Sequence, residues 1–166
     1  ADIRRDPRSV GMPEDHPYYI QGCELGRAIV SCSRLAADDV LVVASTSGKN
    51  AAPVAVAETA LERGVGVIAI ASSQYRQQHG NHSRLANLWA LSDRILLIDN
   101  HVPCGDAAIQ VGACAMGPVS TMAGSFIMHS LSALTVELLQ RQGHAPPVFL
   151  SANAPGGREH NETLLA

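Results

Sequence analysis

Three short apolar runs constrain what this chain can fold into: Val40-Leu41-Val42-Val43-Ala44, Val65 to Ala71, and Ile95-Leu96-Leu97-Ile98-Asp99. Each is short, rich in aliphatic and β-branched residues and free of polar interruptions, as a strand buried on both faces requires. Helical segments lie between them. An Ala-rich stretch over roughly 50–63 opens with Pro53 in its first turn and closes at Gly64. A polar loop, Ser72 to Ser83, leads into a short helix near 83–91. A strand at Val148-Phe149-Leu150 follows Pro146-Pro147, a short strand spans Ala107 to Val111, and the longest helix covers Thr121 to Gln142. A further helix is expected from Pro17 to Leu35, weakened by Gly22 and Gly26. Residues 152–166 are Gly-rich and then helical or frayed. Alternating strands and helices define an α/β fold, a mostly parallel sheet with helices on both faces. The expected organisation is a polar arm, residues 1–16, followed by one domain, residues 17–166.

Composition agrees with that architecture. The chain has 166 residues and is 46% hydrophobic but only 4% aromatic, so its core is built from Ala, Val, Leu and Ile. A net charge of −3 with scattered arginines gives no nucleic-acid footprint. No continuous apolar run reaches bilayer-spanning length and no signal peptide is visible, so no membrane partner is expected and the expected location is cytoplasmic. Cys23, Cys32, Cys104 and Cys114 form no C-x-x-C pair and read as reduced thiols. The chain begins at Ala1 without Met, in a polar segment that reads either as the product of truncation or processing of a larger sequence or as an ordinary flexible leader.

The chemistry starts at Ser45-Thr46-Ser47-Gly48-Lys49-Asn50, between the first strand and its helix. Unpaired N–H groups and the aligned peptide dipoles make a helix start attractive to anions, and three hydroxyls add donors. An ordinary capped turn is the alternative. Gly48-Lys49 is not a P-loop, because Val43 and Asn50 stand where Gly and Ser or Thr are needed. Gly64-Val65-Gly66-Val67-Ile68-Ala69 matches a dinucleotide fingerprint by letters but enters a strand instead of leaving one. His79 with His82, or His101 with Cys104 and Asp106, have no familiar metal-site spacing, so no metal and no cofactor is expected. No G-x-S-x-G elbow is present. A second hydroxyl-rich helix start, Gly117-Pro118-Val119-Ser120-Thr121, would face the same carboxyl edge of the sheet, where open α/β folds bind ligands.

These segments resemble the sugar isomerase (SIS) phosphosugar-binding domain, whose first strand runs into S-x-S-G-x-[STN]. The resemblance narrows to the UPF0309, phosphoheptose-isomerase-like branch through several further segments. They are Asp99-Asn100 with Cys104-Gly105-Asp106-Ala107, Gly117 to Gly124, Pro146 to Asn153, and Glu159-His160-Asn161. It implies a five-stranded parallel sheet in a three-layer α/β/α sandwich of SIS-like, flavodoxin-like topology, assembled as a homodimer or homotetramer. It implies that a sugar phosphate is the ligand. Ser45, Ser47 and Asn50 would hold the phosphate, with Thr46 beside them and backbone help from Gly48. Ser120, Thr121 and Asn153 would line the sugar site. Relatives begin with a helix and a further strand that have no counterpart after Ala1.

The implied reaction is aldose–ketose isomerisation through an enediol, which needs a base near neutrality. His160 is the preferred proton carrier and Glu159 the second. His129 lies on the helix that carries a catalytic His in phosphoheptose isomerases, one turn before Ala133, which takes the family position. His82, after the second strand, would lie near the ligand. Asp106 binds a sugar hydroxyl or caps its turn. A noncatalytic phosphosugar sensor is the alternative function, since a fold does not choose a chemistry.

Overall fold

The computed structural model describes residues 16–76 and 87–165. In chain order the elements are α1 (Pro17–Ser31), β1 (Val40–Ala44), α2 (Ala51–Glu62), β2 (Gly66–Ala71) and β3 (Leu96–Asp99). There follow β4 (Ile109–Val111), β5 (Cys114–Met116), α3 (Ser120–Arg141) and α4 (Gly157–Leu165). Short 3-10 turns at Ser73–Tyr75 and Leu88–Leu91 interrupt the loop between β2 and β3. Two compact units divide at Ser125 and Phe126, inside α3.

The first unit contains the parallel sheet, in the order β1-β2-β3. Val40 pairs with Gly66 and Ala44 with Ile70, while Ile68 pairs with Leu96 and Ala71 with Asp99. Alternate side chains share a sheet face. Leu41, Val43, Val67, Ala69 and Leu97 therefore pack together with Val54, Ala57 and Ala60 of α2. α2 ends as its sequence dictates. Gly64 takes φ +76, the Gly64 N–H donates to Leu61 O and the Val65 N–H donates to Ala60 O, a Schellman closure that turns the chain into β2.

α1 lies against α2, and its glycines make the contact possible. A Cβ on Gly26 would overlap the Ala52 carbonyl oxygen and stand 2.8 Å from the Ala55 Cβ; one on Gly22 would stand 3.1 Å from the Ala51 Cβ. Gly22 and Gly26, four residues apart, thus form the groove that receives α2, where the sequence reading counts them against the helix. Tyr19 and Cys23 bury beside them against Ala51 and Ala55. The Arg63 guanidinium donates to the carbonyls of Val30 and Leu35, tying the end of α1 and the following loop to the end of α2.

Ala107 to Val111 is only partly strand. Ile109–Val111 pairs antiparallel with Cys114–Met116, a hairpin partner that sequence periodicity does not reveal because the second strand is three residues long.

In the second unit, Val148-Phe149-Leu150 is not a strand, contrary to expectation. Its backbone is held by side chains of α4 instead. The Leu150 N–H donates to Asn161 Oδ1 at 2.9 Å and Asn161 Nδ2 donates to Leu150 O at 2.8 Å. Asn161 therefore satisfies the donor and acceptor that a neighbouring strand would have paired. The described residues place three strands in the parallel sheet, against the five implied by resemblance.

α3 is 22 residues long and by length and composition alone could cross a membrane. A search for continuous apolar runs misses it because His129, Ser132, Thr135 and Glu137 interrupt the pattern.

Candidate functional site

The carboxyl ends of β1, β2 and β3 carry three loops, and hydrogen bonds knit them into one surface. The Ser45 N–H donates to Ile70 O at 2.9 Å and the Ser72 N–H to Thr46 O at 2.8 Å, which extends the β1–β2 ladder into the loop. Ser72 Oγ, fully buried, donates to Val102 O at 2.6 Å, so the β2 loop is fixed to the β3 loop. Asp99 closes the same edge: Oδ1 accepts from the Ser73 N–H at 3.1 Å and from the His101 N–H at 2.9 Å. Burial works against its ionisation, but the Ser73 and His101 donors and the His101 charge prevail and hold its carboxyl below the usual value.

The hexapeptide forms a compact turn. The Gly48 N–H donates to Ser45 O at 2.9 Å and the Lys49 N–H to Ser47 Oγ at 3.3 Å. Gly48 stands at φ +66, where a side chain would be strained. Asn50 occupies the N-cap of α2 in extended backbone, yet its side chain makes no cap hydrogen bond. The alternative of an ordinary side-chain cap thus fails at Asn50, and the first turn of α2 keeps donors of the kind that bind anions. Ser45 is 9% exposed and Lys49 only 3%. Burial lowers the Lys49 pKa from its ordinary value, opposed by an electrostatic contribution from Cys104 on the β3 loop. A cation beside the turn adds the charge a phosphate needs. Sequence reading rejected the P-loop and passed over Lys49; its position inside the hexapeptide was the available signal.

Asp106 leads from this edge to the start of α3. Its Oδ1 accepts from the backbone N–H groups of Val119 and Ser120, both at 2.9 Å, and Oδ2 accepts from Ser120 Oγ at 2.5 Å. Burial opposes ionisation of Asp106, but Ser120 Oγ and the two amides outweigh it and hold the carboxyl below its ordinary value. Asp106 and Ser120 therefore engage each other, with Thr121 next along the helix. Tyr75 Oη accepts from the Gly105 N–H at 2.8 Å and ties the β2 loop to the same turn. Burial, the largest influence, raises the Tyr75 pKa.

His82 lies outside the described residues. His129, Asn153, Glu159 and His160 belong to the second unit. There His160 Nε2 lies 3.0 Å from Val148 O, so that nitrogen carries the proton it donates to the carbonyl. The Asn153 N–H donates to Ser151 Oγ at 3.3 Å, and Glu159 lies in the first turn of α4, where the helix dipole favours a carboxylate. Among the described residues no group of three or more His, Cys, Asp or Glu is placed to hold a metal ion.

A parallel α/β domain with a hydroxyl-rich turn at its carboxyl edge is the class these features define. Residues 19–72, from α1 through β2 with the hexapeptide between, match the SIS domain family. A UPF0309 protein of Shouchella clausii is 38% identical over 130 residues, which is 76% of this chain and 52% of the relative. A UPF0309 protein of Halalkalibacterium halodurans is 37% identical over 134 residues, 79% of this chain and 53% of the relative. The UPF0309 protein in the nagA 3' region of Lysinibacillus sphaericus is 36% identical over 127 residues, 76% of this chain and 51% of the relative. The match to the SIS domain family thus lies in the first unit, and the chain spans about half the length of the curated relatives it matches.

Proposed function

We propose that this chain holds the phosphate of a sugar phosphate in the Ser45–Asn50 turn and isomerises the sugar between its aldose and ketose forms. One observation carries the binding part: a turn rich in hydroxyls at the end of a parallel strand, with Gly48 at positive φ, an uncapped Asn50 and buried Lys49 beside it. Thr46, Ser120 and Thr121 are the proposed contacts for sugar hydroxyls. In the reaction a base removes the proton from the carbon next to the carbonyl. The C–H electron pair forms the enediol as the carbonyl oxygen takes up a proton. The abstracted proton then returns to the former carbonyl carbon while the adjacent hydroxyl releases its own and becomes the new carbonyl, so no external redox cofactor takes part. His160, then Glu159 and His129, are the proposed proton carriers, and a homodimer or homotetramer in the cytoplasm belongs to the same proposal.

A specific observation favours the second reading, a noncatalytic phosphosugar sensor. His160 Nε2 and the Asp106 oxygens already serve the backbone of their own units. Incubating the protein in deuterium oxide with a panel of aldose and ketose phosphates separates the two. Isomerisation predicts deuterium at the carbon next to the carbonyl, detected by NMR. Binding without exchange across the panel supports the sensor and overturns the isomerase.

A further inference from the structure

Two consecutive residues of the 3-10 turn before β3 hold a single peptide unit of the hexapeptide. The Leu88 N–H donates to Gly48 O at 2.8 Å. Beside it the indole edge of Trp89 lies so close to Gly48 that an added Cβ would stand 3.1 Å from Nε1 and 3.4 Å from Cδ1. Nε1 is shielded from solvent and, among the described residues, has no hydrogen-bond partner. A buried donor left unpaired is unfavourable. Its position on the one residue of the loop at positive φ gives it a use, because an indole N–H is donor only and presents partial positive charge. The turn itself is secured by the Asn87 carboxamide, whose Oδ1 accepts from the Ala90 N–H at 3.0 Å, and by Leu88, fully buried in the core.

We infer that Trp89 is a positioning residue of the phosphate turn: its indole edge and the adjacent Leu88 N–H set the Gly48 peptide, and anion binding at the loop is transmitted to the indole N–H. This rests on reading the hexapeptide as a phosphate anchor. An anion that draws the loop amides toward itself acts directly on Gly48, whose carbonyl Leu88 holds and beside which the indole edge lies.

The chain contains one tryptophan, so a 1H–15N spectrum shows one indole resonance. Inorganic phosphate titrated into the full chain, with sodium chloride at matched ionic strength as control, is expected to move that resonance saturably. Its half-saturation should equal that of phosphate binding by calorimetry. W89F, which keeps an aromatic ring but withdraws the indole edge packed beside Gly48, is expected to weaken phosphate binding about fivefold, the scale of an ordinary single-substitution effect. Calorimetric binding with an unmoved indole resonance, or unchanged affinity in folded W89F, overturns the inference while leaving the phosphate anchor standing. Absence of calorimetric binding to wild-type protein overturns the anchor and the inference together. Should W89F fail to fold, the wild-type resonance decides alone.

Discussion

Asp106 and Ser120 are joined side chain to side chain, Ser120 Oγ donating to Asp106 Oδ2 at 2.5 Å, while Asp106 Oδ1 accepts from the backbone N–H groups of Val119 and Ser120. A residue fourteen positions upstream thus caps the longest helix. The bond joins the loop after β3 to the start of α3 and fixes Ser120 and Thr121 in place. Asp106 does this from a left-handed backbone, φ 51, which is uncommon for a residue with a side chain.

Replacing Asp106 by Ala should destabilise the protein by about 1 kcal/mol, the usual size of a lost helix cap. The effect has a pH signature. The folded carboxyl sits below its ordinary value of 3.8, so its contribution is fully present above that pH. It fades as pH falls through the lower folded value. Melting curves of wild type and D106A should therefore differ at neutral pH and converge in acid. A constant difference down to acid denaturation would contradict the capping role.

Gly26 tests the packing of α1. Alanine favours an isolated helix over glycine, yet G26A is expected to destabilise by about 1–3 kcal/mol because the new methyl meets backbone of α2. Denaturant midpoints of wild type and variant measure it. A gain in stability would show that α1 does not approach α2 closely.

Lys49 tests the electrostatics of the turn. K49M should weaken phosphate binding about tenfold or more, as expected for a lost charge-assisted contact. Burial lowers the Lys49 pKa below its ordinary 10.5. Affinity in wild type should accordingly decline on the alkaline side at a lower pH than an exposed lysine would give, and K49M should lack that decline. Calorimetry across a pH series reads both. Parallel pH profiles would remove Lys49 from the site.

Asn161 tests the second unit. N161A removes both bonds to the Leu150 backbone and should release the 146–150 segment, with about 0.5–1.5 kcal/mol of stability lost. Faster amide hydrogen exchange at Leu150 is the direct readout. Unchanged exchange would mean that other contacts hold the segment.

Much of the fold was legible because it follows from local pattern. β1, α2 and the Gly64 terminus could be read from apolar runs and a left-handed glycine, since those signals act within a few residues. The three β strands of the parallel sheet fell where the runs placed them, with β2 and β3 starting one residue later. Val148 to Leu150 has the same local pattern as a strand, but strand formation depends on a neighbour, and here Asn161 takes that place. Gly22 and Gly26 were misread because their value is the space they leave for another helix, which no propensity scale contains. Within the site, the hydroxyls and glycine of the hexapeptide were legible. The contributions of Ser72, Tyr75 and Trp89 were not, because they come from loops whose approach is set by the sheet. The Asp106–Ser120 bond was beyond reach for the same reason.

The most direct test of the Ser45–Asn50 turn as a phosphate anchor is calorimetric titration of the wild-type chain and S47A with a panel of sugar phosphates and the corresponding free sugars. At least one sugar phosphate should bind wild type, its free sugar should not bind measurably, and S47A should bind the same phosphate more weakly. Equal binding of a sugar with and without its phosphate, or full affinity in S47A, would contradict the account.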